Sequence, residues 1–195
     1  MIPPILQRVR DAGHKVFEDG AYDLNIIGIR SKNRSAGEFD DWLCVACKDL
    51  NGTWICYWFQ ATTDPGIPWL EAPGNPGGTA ILVPGQYRGC YTLGKHRGKY
   101  TALCQRSGPV KVYRDSNRDS TLDLVPESVV GGMFGINIHR SNLSDSGAHT
   151  VGRYSAGCTV VKRAKDFALL IELCERQIQN HPTWNETFTY TLLED

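Results

Sequence analysis

Two β-rich runs, residues 42–50 and 53–61, meet at Asn51-Gly52, and this dipeptide commits the chain to antiparallel strands. Asn and Gly reach positive φ at little steric cost, so the pair suits a two-residue turn between twisted strands. The rest of the chain is punctuated in the same way. Residues 24–29 read as a buried strand, and shorter strands are predicted over 80–83, 87–93, 100–105, 110–113, 135–139 and 187–193. Helical spacing occurs in residues 3–18, where Ile5, Leu6, Val9, Ala12, Val16 and Phe17 recur on one side. It returns in residues 164–179 with Phe167, Leu170, Ile171, Cys174 and Ile178. Many short strands with two helices indicate a β-dominated α+β domain. With no repeat or linker, a single domain over 1–195 is expected, its N-terminal helix and hairpin region (1–78) packed on the region 80–195.

Charge excludes several partners. The chain has 21 Lys plus Arg against 21 Asp plus Glu, so no overall field draws it to nucleic acid or to an anionic membrane. A basic cluster at Lys95, His96, Arg97 and Lys99 reads as a solvated loop or a strand edge. No apolar run approaches the ~20 residues of a membrane span. The N-terminus turns charged too early for a secretory apolar region, so synthesis in the cytoplasm without a signal peptide is expected. Seven cysteines, at 44, 47, 56, 90, 104, 158 and 174, are an odd and irregular set that argues against a full disulfide framework. Cys44 and Cys47 fall three apart in a strand, where side chains face opposite ways and would not share an ion. Asp115, Asn117 and Asp119 alternate like the start of a calcium loop, but Ser120 and Pro126 break that pattern, and Asx turns are the better reading. Gly131 to Gly135 lacks phosphate-loop spacing and reads as a bend into the next strand. No metal or cofactor is called for, and a monomer is expected.

Chemistry concentrates between Gly135 and Cys158. A nucleophilic cysteine needs a lowered pKa or a nearby base, room for a carbonyl, and donors for the oxyanion. His139, ending a predicted strand, is the candidate base. His149, in the polar loop, is the only credible substitute, and His14 and His96 are scattered elsewhere. Ser155-Ala156-Gly157-Cys158 supplies the sulfur, small neighbours and a glycine able to turn amide groups toward one point. Ser155 is divided between a site role and a turn-capping hydroxyl. Tyr154, Arg153, Arg140 and Ser141 flank the pair as candidate substrate contacts, with Trp69 and Tyr87 as further groove residues.

This constellation resembles the L,D-transpeptidase catalytic domain, in which a His, a loop and Ser-His-Gly-Cys are followed by a short strand and a helix. Here the order is His139, residues 140–157, Cys158, Thr159-Val160-Val161 and a helix containing Asp166. The likeness covers residues 82–173 and is closest to small bacteriophage-encoded forms. It departs where the motif His is Ala156, the Arg after the nucleophile is Val160, and the Gly after the first His is Arg140. The resemblance implies a β-sandwich or barrel fold with a helix after the Cys. It also implies a backbone carbonyl of Arg140 or Ser141 orienting the base. The activity implied is acyl transfer through a thioester on stem peptides of bacterial peptidoglycan, with lytic hydrolysis after release or injection as the leading outcome. Cross-linking, or an inert particle-associated protein of the same fold, are the alternatives. Cys158 is expected to be alkylated ahead of the other six thiols at neutral pH.

Overall fold

The computed structural model describes residues 1–195. Eight strands close into a barrel in the order β1-β11-β5-β6-β9-β10-β3-β2, and β4-β7-β8 form a separate three-stranded sheet. The strands are β1 (Asn25–Arg30), β2 (Asp41–Lys48), β3 (Trp54–Thr62), β4 (Thr79–Leu82), β5 (Gly85–His96), β6 (Tyr100–Gln105), β7 (Val110–Asp115), β8 (Val130–Gly132), β9 (Ile138–Arg140), β10 (Thr159–Val161) and β11 (Phe188–Glu194). Helices α1 (Pro4–Asp11), α2 (Ile67–Glu71) and α3 (Ala164–Asn180) complete the fold, with a single 3₁₀ turn at Pro126–Ser128. The β-dominated α+β class is as expected. No helix is long and apolar enough to cross a membrane.

β1 shows why the barrel needs covering on both sides. All six of its residues are buried. Leu24 and Ile26 face the main core, while Ile27 and Ile29 pack with Ile5, Leu6 and Val9 of α1. Cys44 and Cys47 divide in the same way, one toward α1 and the other into the main core, as strand alternation requires. Gly28 has no side chain because a Cβ there would run into the Tyr190 hydroxyl. That hydroxyl crosses the barrel to Thr159 Oγ1 at 2.9 Å.

Several expectations are corrected. Helix α1 stops at Asp11, not near residue 18, because Gly13 takes φ 76° and its N–H and that of His14 close back on Arg10 and Val9 carbonyls. Val16 still joins the core, in extended chain. The Asn51-Gly52 hairpin forms, but Asp49 N–H pairs with the Thr53 carbonyl, leaving Leu50, Asn51 and Gly52 as a three-residue connection. The Asp49 carboxylate accepts the N–H groups of Asn51 and Thr53, which favours this longer form. The 135–139 strand shrinks to β9, since the backbone before it is engaged by a side chain described below. Regions 1–78 and 80–195 meet inside one barrel, where β1 pairs with β11 and β3 with β10. In the 115–121 loop the Asx turns form, with Asp119 N–H on Asn117 Oδ1 and Thr121 N–H on Asp119 Oδ1.

Candidate active site

β9 and β10 are parallel neighbours, with Val160 opposite His139. Side chains two apart on a strand share a face, so Cys158, two residues before Val160, lies on the His139 side, one diagonal step away. The parallel pairing, which no local pattern announces, is what brings the two residues together. Cys158 is half-buried and opens into a groove of about 520 Å³. Trp69, His96, Arg97, Arg114, Phe134 and Ala156 are among its walls, and no carboxylate lines it. The groove is therefore cationic.

The sulfur is held by main chain. It accepts the Asn137 N–H at 3.4 Å, and its proton points to the Gly135 carbonyl at 3.5 Å. Neither partner is a ring nitrogen. Burial pushes the thiol up to about 11, against the pull of the Asn137 N–H. The expected lowering of its pKa is thus overturned. A sulfur held by main chain alone, with no base against it, keeps its proton.

His139 is buried, and its Nδ1 lies 2.8 Å from the Arg140 carbonyl oxygen. A carbonyl only accepts, so Nδ1 carries the hydrogen and Nε2 keeps its lone pair. The Tyr100 hydroxyl stands 3.5 Å from the same Nδ1. Burial lowers His139 to about 4, and His96, Arg97 and Arg140 add to the lowering. The resting pair is accordingly a neutral thiol and a neutral imidazole.

His96, scattered in the sequence, is a site residue that spacing alone did not reveal. Its ring stacks on His139 with centroids 4.2 Å apart and planes 22° from parallel. Asn137 Oδ1 accepts the Gln105 N–H, which turns its amide nitrogen toward His96 Nδ1 at 3.2 Å. His96 must then carry its hydrogen on Nε2, the opposite tautomer to His139. Burial, with Arg97 beside it, also lowers the His96 pKa.

Gln105 is the second residue missed. Its Oε1 accepts three successive N–H groups, from Phe134, Gly135 and Ile136, at 3.1, 2.8 and 3.1 Å. Its amide nitrogen donates to the Gly108 and Gly132 carbonyls. This single buried side chain shapes the loop that presents Gly135 and Asn137 to the sulfur.

The other candidates divide. Ser155 is fully buried, donating to the Cys158 carbonyl at 2.7 Å and accepting the Gly157 N–H at 3.1 Å. It frames the turn and does not face the groove. Gly157 sits at φ 115°, where a Cβ would meet the Ala80 carbonyl oxygen. Its N–H is taken by Ser155, whereas the Cys158 N–H has no protein acceptor. Arg140 serves through its carbonyl, while its guanidinium lies 4.1 Å over the Tyr100 ring and lines a different depression. Ser141 is stitched to β10, its Oγ donating to the Lys162 carbonyl. Arg153 reaches the rim only through Trp69, over which its guanidinium lies at 5.4 Å. Trp69 does line the groove, whereas Tyr154, Tyr87 and the exposed His149 do not. No protein-family model matches the chain, and no curated protein matches it.

Proposed function

We propose that the chain is a cysteine acyl-transfer enzyme of L,D-transpeptidase type, cutting peptide bonds in the stem peptides of bacterial peptidoglycan. The observation that carries this reading is Cys158 opening into a groove just before a strand that pairs in parallel with the one bearing the buried His139. The Nδ1–carbonyl contact of His139 supports it, because it leaves Nε2 as a base. A thiol–imidazole contact, absent here, commonly forms only once substrate is bound. A cationic groove suits a peptide bearing free carboxylates, which Arg97 and Arg114 would meet.

In the reaction Cys158 Sγ attacks the scissile carbonyl as its proton passes to His139 Nε2. The Cys158 N–H faces the developing oxyanion. His139 returns the proton to the leaving amine, the C–N bond breaks, and a thioester remains. Water, deprotonated by the same imidazole, releases the acid; an amine in its place would give a cross-link. Hydrolysis on walls reached after release or injection is the favoured outcome.

A raised thiol pKa and main-chain partners for the sulfur favour a second reading, an inert binding protein of the same fold. Mass spectra of muropeptides decide between them. Wild-type protein is expected to convert cross-linked or tetrapeptide species to new products, and Cys158→Ala to leave them untouched, with a loss of at least ~10³-fold in rate. Unchanged muropeptides with wild type, or equal turnover by Cys158→Ala, sink the enzyme reading.

A further inference from the structure

A second pocket, of about 490 Å³, opens between the chain before β1, the C-terminal half of α3, and β5 and β11. Gly89 on its wall and His96 in the thiol groove lie on the same strand, seven residues apart, or roughly 20 Å. The two sites are therefore separate.

Two polar side chains that line this pocket, each more than nine-tenths buried as a residue, keep one unpaired atom within reach of solvent. Asp23 is only 4% exposed; its Oδ2 accepts the Asp19 N–H, and its Oδ1 has no protein partner. Gln177 is 8% exposed; its Oε1 accepts the Leu24 N–H, and its amide nitrogen donates to nothing in the protein. Held in fixed positions by their other hydrogen bonds, these two atoms meet whatever occupies the pocket, solvent or a ligand that displaces it. Burial also raises the Asp23 pKa, as expected of a carboxyl kept in a poorly solvated wall.

The chemistry of the walls selects the ligand. Trp184 stacks one face on His181, centroids 3.7 Å apart and 9° from parallel, and lines the pocket with its remaining surface. Asn185 and Arg88 offer further free donors, and the Thr187 hydroxyl both donates and accepts. An anion is disfavoured by Asp19 and Asp23. An ammonium ligand would have no use for the Gln177, Asn185 and Arg88 donors. A neutral ligand carrying many hydroxyls, with an apolar C–H face to lie on an aromatic plane, matches donors, acceptors and ring together. We propose that this pocket binds a neutral saccharide. The site does not depend on the thiol reaction.

Chitotetraose is a suitable ligand for testing this in the full chain, read by the Trp184 indole resonance in ¹⁵N spectra, assigned by its loss in Trp184→Phe. The resonance is expected to shift saturably, and equally in Cys158→Ala. Gln177→Glu keeps the acceptor for Leu24 and removes the free donor; Asp23→Asn keeps an acceptor for Asp19. Each is expected to weaken binding by about tenfold while the rest of the spectrum stays folded. The proposal is overturned by no shift at concentrations of about 10 mM, by affinity unchanged in both variants, or by a shift with putrescine and none with the saccharide.

Discussion

A thiol whose pKa stands near 11 meets an electrophile at neutral pH only through its small ionised fraction, and the neutral imidazole beside it offers no charge to enlarge that fraction. Iodoacetamide labelling of Cys158 is accordingly expected to be slow at neutral pH and to rise about tenfold per pH unit from roughly pH 7 to 10, followed by mass spectrometry. A rate that levels off below about pH 8 would mean a thiolate–imidazolium pair and reverse the picture. Access still ranks the thiols: Cys158 and Cys56 are half-buried and the other five are buried. Motif order is a property of the chain, so the sequence singled out Cys158 and His139, and the structure sets them at adjacent parallel strands. It misjudged the state of the sulfur, because depth is set by the walls that Gly135 and Asn137 build from elsewhere. It also missed His96, whose place beside His139 depends on β5, β6 and β9 being neighbours in the barrel.

Elements fix the loops, and the loop before β9 depends on Gln105. Gln105→Leu orphans three N–H groups and two carbonyls at once, each worth ~1–3 kcal/mol when buried without a partner. With water reaching the exposed Gly135, a net loss of about 3 kcal/mol in urea denaturation is expected, together with reduced turnover. Gln105→Glu keeps the acceptor and is expected to recover part of the stability. A Leu variant as stable as wild type would remove Gln105 from its central place. At this scale β6 and α3 were legible almost residue for residue, because alternation and helical spacing are local. The short β8 and α2 were not, having too few residues to show a period.

At the scale of the molecule, the barrel encloses an ionic group that no pattern announces. Arg30 is fully buried, with Nε 2.8 Å from Asp64 Oδ1 and Nη1 donating to the Leu82 carbonyl at 2.9 Å. Asp41, also buried, accepts the N–H groups of Ser31 and Thr63 and the Thr63 hydroxyl. The one cation pairs with Asp64, and burial, with Asp64 nearby, pushes Asp41 up to about 7. A raised carboxyl holds its proton folded and loses it unfolded, so its contribution is greatest below the ordinary carboxylate pKa and is lost as pH rises through about 7. Arg30→Met strands Asp64 and removes the Nε contact to Thr63, whose hydroxyl serves Asp41, and is expected to lower stability by about 3–5 kcal/mol at neutral pH, measured by urea unfolding. The deficit is expected to narrow as pH falls from roughly 7 to 4 and the buried acids take up protons. A deficit that is constant across that range would show that the acids do not govern it.

Joining β1 to β11 in parallel has a temporal consequence. The ring is sealed by residues 188–194, so a growing chain holds every part of the thiol centre before it holds the staple that shuts the hoop around it. Pairings between such remote stretches form late and slowly. A nascent polypeptide therefore carries residues 96, 139 and 158 before the barrel that sets them side by side is shut.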